Sequence, residues 1–404
     1  MNIQPVPPNY NINREHQLIT RENTYVLHRK LVTFHSEDRD VNKWPNANHF
    51  EIELPESLSN IQSTRLLEIG LPSNYHTFSN NYQNTKLTFT IRANNRMNSS
   101  LYLALVANID NTYEIAIQEG FYSGKQLAKE LENKMNNVVY QYLLNYTDPS
   151  GVSVTSPSYD HFKVYYDEVG QQMYIGNNYD EFTMNFSEKI EYTFPQVSDN
   201  SNFCEQSNIW NHYTKWGLPY NLGYNKEDYI GIDTSGNDTS GNIVFDYDDY
   251  TWLVPDASGL TPGQSAKAYY VKSSNSICID GDSVIYMEMD KFDSIDELKP
   301  YPENTSAKYK NDYNGIVNSA FAKIPILNLP NNRYYDTRID LQNMSHYHPP
   351  LSKIKKLKFK FRYHDGRLVD FRNCNFNFMI EFNMLRDEIA RDYRNVRTPG
   401  TYNL

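Results

Sequence analysis

The sequence predicts a mainly β protein, an antiparallel sandwich with one packed helix and a loop-rich insertion. Aromatic residues make up 14% of the 404 residues, and tyrosine alone occurs 34 times, a composition that favours strands. Two segments, residues 49–54 and 353–363, alternate between apolar and polar side chains, which is typical of half-buried strands. A chain of this length predicts either one large β domain with an elaborate insertion or two domains.

Strand signals dominate the first third of the chain. Residues 25–34 are rich in β-branched and aromatic side chains. In residues 49–54, Phe50, Ile52 and Leu54 share one face, and Pro55 is predicted to end this strand. Further strands are predicted at 64–71, 85–92, 101–106 and 112–118, at the spacing of a sandwich or barrel.

One helix is predicted after these strands. Ser123 is its candidate N-cap, and Leu127, Leu131 and Met135 repeat at helical spacing through residue 137. Residues 162–166 and 172–175 then predict a hairpin, with residues 182–186 as the next strand of a meander.

The middle of the chain loses its period and is rich in Asn, Asp and Gly, so we expect loops there. Strands return at 283–289 and 320–327. Residues 353–363 and 375–382 both alternate around a turn at 364–366, which predicts a hairpin in which Phe residues of the two strands pack together. A short helical stretch is predicted at 384–393.

Six segments follow from this pattern. They are an extended N-terminal arm at 1–24, the first part of the β-sandwich core at 25–118, a helix plus β-meander at 119–189, a loop-rich insertion at 190–280, the remainder of the β core at 281–384, and a C-terminal tail at 385–404.

Charge and cysteine content narrow the function. The chain carries 38 basic and 49 acidic residues, a formal charge of -11, which argues against a molecule that coats nucleic acid. No apolar run has the length of a membrane span, and no signal peptide is visible. Cys204, Cys278 and Cys374 are too widely spaced to predict a disulfide framework or a zinc site. His346 and His348 share one strand face but have no third ligand at a telling spacing, and the acidic residues Asp246, Asp248 and Asp249 lack the order of a calcium loop and are better explained as solvated turns. We therefore predict no metal and no cofactor.

Motifs for catalysis are absent from the sequence. There is no nucleophile elbow, no phosphate-binding loop, no dinucleotide fingerprint and no zinc-protease motif, so we predict a non-enzymatic protein with no catalytic residue. A carboxylate pair of the glycosidase kind leaves no sequence spacing in a β fold and stays an open alternative.

Four cations are predicted to share one face of the strand at 353–363: Lys356, Lys358, Lys360 and Arg362. Such a row either protects an edge strand from unwanted pairing, docks an acidic protein or meets phosphates. In an acidic chain, docking of a protein partner is the favoured interpretation.

Two tryptophans, Trp210 and Trp216, lie in the predicted insertion. If they are exposed, their aromatic faces suit a glycan or a receptor, and the chain is then a binding module at a virion or cell surface. The alternative is that both tryptophans belong to the core.

Three stretches carry a family resemblance. Residues 36–55 contain a Ser-Glu-Asp-Arg-Asp run that leads through a Trp-Pro-Asn turn into the alternating strand. Residues 117–122 lead into the helix, and residues 348–371 lead to the final Phe-rich strand. In these stretches the chain resembles capsid-associated proteins of nucleocytoplasmic large DNA viruses, the giant viruses.

The resemblance implies a jelly-roll-like core and a structural role as a minor capsid or penton-type protein. It implies the major capsid protein and other minor capsid proteins as partners, with a homo-oligomer as a further option. It also implies a place in the virion capsid after synthesis in the host cytoplasm, and it brings no catalytic residues.

Overall fold

The structure is a computed structural model that describes residues 25–92, 100–147, 151, 153–154, 156–192, 209–211, 214–234, 242–245, 250–258, 265–299, 316–326 and 344–387. The predicted arm at 1–24 lies outside the described residues, as does the predicted tail from residue 388 onward.

Most of the secondary-structure elements along the chain are strands. The strands are β1 Tyr25–His35, β2 His49–Gly70, β3 Lys86–Arg92, β4 Tyr113–Ala116, β5 Phe162–Asp167, β6 Gln172–Asn177, β7 Glu181–Met184, β8 Tyr229–Ile230, β9 Ile232–Asp233, β10 Ile243–Phe245, β11 Tyr250–Leu253, β12 Tyr269–Lys272, β13 Val284–Met289, β14 Ile295–Lys299, β15 Ile316–Ala320, β16 Ala322–Pro325, β17 Ser345–Arg362 and β18 Asn377–Asp387. The helices are α1 Ser100–Ala107, α2 Gly124–Asn145 and α3 Leu218–Asn221.

All the strand pairs among the described residues are antiparallel, so the predicted mainly antiparallel β class is confirmed, consistent with a jelly-roll-like sandwich. The chain divides into two units. Unit 1 comprises residues 1–74, 283–300 and 315–404, and unit 2 comprises residues 75–282 and 301–314. Residues 75–118, which the sequence assigned to the first part of the core, thus group with the helix and meander.

Unit 1 is built on a six-stranded sheet with the order β1-β18-β2-β17-β13-β16. The hairpin predicted from residues 353–363 and 375–382 is wrong, because β2 lies between β17 and β18 and pairs with both. The predicted aromatic packing is nevertheless present, with the Phe359 and Phe378 rings 4.9 Å apart. Both side chains point to the same face of the sheet and meet across the intervening strand.

Strand β2 runs for 22 residues without ending at Pro55. Its register against β17 shifts between Ile354 and Lys356, opposite the segment that contains Pro55. An irregular position of this kind needs no ladder hydrogen bond from the proline nitrogen, so the strand continues through it. The two strands predicted at 49–54 and 64–71 are therefore one.

Unit 2 contains two four-stranded sheets with the orders β4-β3-β7-β8 and β5-β6-β12-β9. Their inner faces meet at the rings of Phe89, Phe162 and Phe182, with centroids 5.0 to 5.4 Å apart. The meander is therefore split: β5 and β6 form the predicted hairpin, whereas β7 pairs with β3 in the other sheet.

Helix α2 covers this core. Ser123 accepts a hydrogen bond from the Gln126 N–H, and Gln126 accepts one from the Ser123 N–H, which confirms the predicted start as a capping box. The buried stripe continues past the predicted end through Val139 and Leu143. The strand predicted at 101–106 is instead helix α1, because a short apolar run rich in Leu and Ala suits a helix as well as a strand.

The predicted insertion contributes to the folded core of unit 2. Strand β12 pairs with β6 and β9, and Leu218, Leu222 and Tyr224 are buried in the same core as α2. At the other end of the chain, residues 384–387 continue strand β18 where a helix was predicted, and the rest of that stretch lies outside the described residues.

Candidate docking surface

The outer face of the unit 1 sheet carries the predicted cationic row, but most of it is matched by carboxylates. Lys356 lies 3.5 Å from Glu51 and 3.7 Å from Glu53 on the neighbouring strand β2, and Lys355 pairs with Glu53 at 2.6 Å. The hydrogen bond from Lys355 and the nearby positive charges lower the pKa of Glu53. Exposed ion pairs of this kind contribute little to stability and mainly favour this cross-strand register.

The row lies on an interior strand, because β17 pairs with β2 on one side and with β13 on the other. The interpretation that these cations protect an edge strand is therefore wrong. Lys358 lies over the Trp44 ring at 5.8 Å, and Lys360 pairs with Glu288 at 3.1 Å. Burial, with Lys358 and Lys360 close by, lowers the pKa of His49.

Arg362 has a different environment from the three lysines. Like the three lysines, it is an even-numbered residue of β17. Its side chain is nevertheless only 2% exposed, so the expectation that it faces a partner is wrong. Strand β14 supplies Glu297, whose Oε2 accepts from Arg362 Nη1 at 2.5 Å, and Glu288 accepts from Arg362 Nε. Burial alone would lower the pKa of Arg362, but these hydrogen bonds outweigh it and raise the pKa.

Glu297 is the centre of this buried network. Its side chain is 3% exposed and binds both Arg362 and His364, which is itself largely exposed. Glu288 and Glu297 both accept hydrogen bonds from the Arg362 guanidinium. The arrangement ties β13, β14 and β17 together.

Asp293, beside this network, gives a pH-dependent prediction. Burial raises its pKa to about 6 from an ordinary value of 3.8, and its Oδ1 accepts from the Met289 N–H at 2.8 Å. The folded state therefore favours the protonated carboxyl, and its stabilising contribution is complete below the unfolded pKa and is lost as the pH rises through 6.

We expect Asp293→Asn to match the native stability at about pH 4 and to exceed it at about pH 8, because the amide resembles the protonated acid. Urea unfolding midpoints of both proteins at the two pH values check this. A difference that is the same at both pH values would contradict the assignment.

The two tryptophans lie in unit 2. Trp216 is 4% exposed and belongs to the core, whereas Trp210 is half-buried beside it, with the rings edge to face at 5.4 Å. Lys226 lies 4.6 Å from the Trp210 ring and 5.3 Å from the Trp216 ring, and it donates to the Trp210 carbonyl. A depression beside them has a volume of about 20 Å³, which is room for a water molecule.

Trp210→Ala is expected to cost about 1–2 kcal/mol of stability, because it removes one aromatic pair and one cation–π contact. Urea unfolding measures the loss, with exposed Val169→Ala as the control of near-zero effect. Unchanged stability together with lost binding on a glycan array would favour the glycan-binding alternative.

Strand β1 was predicted from the sequence, but its position at the edge of a sheet was not. It is the outermost strand of the unit 1 sheet, 11 residues long, and β18 is its only strand partner within the described part of the chain. On its solvent face Leu27 is 55% and Leu31 is 48% exposed. A long edge with exposed leucines is a site at which a further strand can add.

A turn between β1 and β2 contains the run that carries the family resemblance. Arg39 donates to the carbonyls of Ser36, Trp44 and Pro45 at 2.6 to 3.0 Å and to Asn375 Oδ1 at 3.2 Å. The Arg-centred run therefore fixes the turn by satisfying backbone carbonyls and joins it to the segment before β18. Its role in the fold is to hold this turn in place.

Within the described ranges, no three side chains among His, Cys, Asp and Glu converge as ligands for a metal ion. None of the helices in this part of the chain has the length and apolar character that crossing a bilayer requires.

The chain is similar in structure to two viral proteins. The crystal structure of the mavirus penton protein matches 89% of this chain and 98% of its own chain, with 7% identity and a TM-score of 0.35. A chain in the 3.5 Å cryo-EM structure of the Sputnik virophage matches over 89% and 98%, with 9% identity and a TM-score of 0.34. No protein-family model and no curated protein matches the sequence.

Proposed function

We propose that this chain is a structural component of a viral capsid, of the minor capsid or penton type, which contacts neighbouring capsid subunits during assembly. One observation carries the proposal: two stretches with the family resemblance, far apart in sequence, adjoin in one sheet. Residues 36–55 lead into β2, residues 348–371 include most of β17, and these strands pair. Asn48 Nδ2 also donates to the Val369 carbonyl at 2.9 Å.

The remaining lysines of the row are proposed as a docking surface for an acidic face of a neighbour. Lys356, Lys358 and Lys360 are on the solvent side of the sheet, and their carboxylate partners are themselves partly exposed. Exposed pairs exchange partners at little cost, so a neighbour's carboxylates can replace them. The proposed partners are the major capsid protein, other minor capsid proteins or further copies of this chain, in the virion.

The experiment that tests the role is the composition of purified particles. We expect the chain in the shell fraction, at a copy number that fits symmetric positions, by quantitative mass spectrometry and by density in a particle reconstruction. Its absence from purified particles, or its release with the particle contents, would contradict a shell role.

The same particles test the docking surface. Reversing the charge of Lys356, Lys358 and Lys360 to Glu is expected to lower incorporation at least several-fold, because each introduced glutamate repels an acidic neighbour. The matched control reverses three exposed lysines of unit 2, Lys125, Lys129 and Lys189, and is expected to incorporate normally. Equal incorporation of both variants would remove the lysine row from the docking surface.

A further inference from the structure

The backbone groups of β1 that point away from the sheet can be identified from one hydrogen bond. The Ser36 N–H donates to the Phe376 carbonyl at 2.8 Å, and these residues continue the constant register in which Tyr25 opposes Asp387. Hydrogen-bonded and non-bonded positions alternate in an antiparallel pair. Even-numbered residues of β1 therefore bond to β18, and odd-numbered residues from Leu27 to His35 present their N–H and C=O groups at the outer edge.

At the opposite edge of the same sheet, the sequence of β16 does not favour the addition of a further strand. The Ile326 N–H donates to the Ser283 carbonyl at 2.8 Å, which makes the odd positions of β16, Lys323 and Pro325, the outward ones. Strand β16 is only 4 residues long and ends in a proline that has no N–H to offer. The two edges thus differ: β1 is long and proline-free, and β16 is short and blocked.

The chain itself supplies a segment that fits the open edge. Residues 1–24 join the sheet at Tyr25, the first residue of β1, and residues 9–24 contain no proline. At about 3.3 Å per residue, 16 residues span roughly 50 Å, longer than the roughly 36 Å edge of β1. Tyr10, Ile12 and Leu18 have one parity and, in an extended segment, share the face that can cover Leu27 and Leu31.

We propose that residues 9–24 of one copy add as an outer strand to the β1 edge of a second copy, so that copies are joined head to tail. Residues 1–24 contain no glycine, and a tight hairpin back onto the chain's own β1 prefers Asn-Gly or Asp-Gly at its turn. A neighbour's edge is therefore the favoured acceptor. Head-to-tail contacts of this kind close into rings or continue as open assemblies.

This inference deepens the proposed capsid role by naming a second copy as the partner, and it is tested with the purified full-length chain. The edge variant is Thr33→Pro, which removes an outward N–H from β1 and leaves the bonds to β18 in place. The matched control is Lys323→Pro, a proline at an outward position of the opposite edge. The arm variant is Ile12→Pro, His16→Pro and Thr20→Pro together, which leaves only short proline-free runs.

Native mass spectrometry and light scattering are expected to find self-association for the unmodified chain and for Lys323→Pro, and monomers for the edge variant and the arm variant alone. Mixing the two variants is expected to give a one-to-one complex that grows no further, because one supplies the arm and the other supplies the edge. Circular dichroism verifies that each variant is folded. Leu31→Lys, which leaves the β1 backbone unchanged, replaces Thr33→Pro if that variant does not fold.

Each other outcome overturns the inference. A monomeric unmodified chain excludes head-to-tail joining, and an arm variant that associates normally indicates that β1 pairs with β1. An edge variant that associates normally excludes the β1 edge, and a mixture that stays monomeric places the arm elsewhere. Failure here with the chain still found in the shell would leave the capsid role intact, whereas association without a place in the particle would contradict only that role.

Discussion

Replacing Arg362 with alanine is expected to lower the free energy of unfolding by about 3–5 kcal/mol, because it leaves a carboxylate buried without a cation. Glu297 is 3% exposed and loses the hydrogen bond from Arg362 Nη1. Its other partner is the exposed His364, which offers a full charge only when protonated. Glu288 is less affected, because it keeps the ammonium of Lys360 at 3.1 Å. Equilibrium urea unfolding at neutral pH measures the loss.

A double variant separates the buried charge from the lost side chain. Arg362→Met combined with Glu297→Met removes both charged partners and retains apolar volume, so it is expected to cost much less than Arg362→Ala. Lys356→Ala is the matched surface control, since it removes only exposed ion pairs with Glu51 and Glu53, which contribute little to stability. If Arg362→Ala costs no more than Lys356→Ala, Glu297 is solvated and the network is not a buried one.

Alternation along a strand predicts which side chains share a face, but it contains no information about which strand lies next to it. The aromatic residues of 353–363 and 375–382 were correctly placed on one face, and their rings meet. The partner was wrong because the turn at 364–366 gives a local hairpin signal, whereas β2 enters between the two strands from almost 300 residues earlier in the chain. Such a non-local pairing is decided by the whole sheet.

The candidate site was predictable to a similar degree. The lysine row could be read directly, and its carboxylate partners were visible too, because Glu51 and Glu53 alternate on the polar face of residues 49–54. Opposite charges on two alternating strands are a signal for cross-strand pairing. The burial of Arg362 had no such signal, since it depends on Glu297 in β14, a strand that the sequence did not predict.

The open edge of β1 was also only partly predictable from the sequence. Its strand character was predictable from composition, yet its position at the end of the sheet follows from the order of all six strands. The leucines at 27 and 31 resemble ordinary strand residues in the sequence and become notable only because no described element covers them. The sequence can thus locate a strand, whereas only the assembled sheet identifies it as an edge.

Phe359→Ala is expected to lower the free energy of unfolding by about 3–5 kcal/mol through the cavity it leaves. Its ring is fully buried on β17 and lies 5.1, 5.4 and 4.9 Å from the rings of Phe34, Phe50 and Phe378. These partners belong to β1, β2 and β18, so a single side chain joins four neighbouring strands of the sheet. Urea unfolding, with the denaturant slope fitted freely, measures the loss.

The adjacent residue supplies the control for this core position. Lys358 is on the opposite face of the same strand, and Lys358→Ala is expected to change stability by no more than about 1 kcal/mol. Phe359→Leu leaves a smaller cavity than Phe359→Ala, so its loss of stability is expected to lie between those of Phe359→Ala and Lys358→Ala. If Phe359→Ala and Lys358→Ala were equally mild, the two faces of β17 would not differ in burial, and the assignment of the aromatic face as the core of unit 1 would fail.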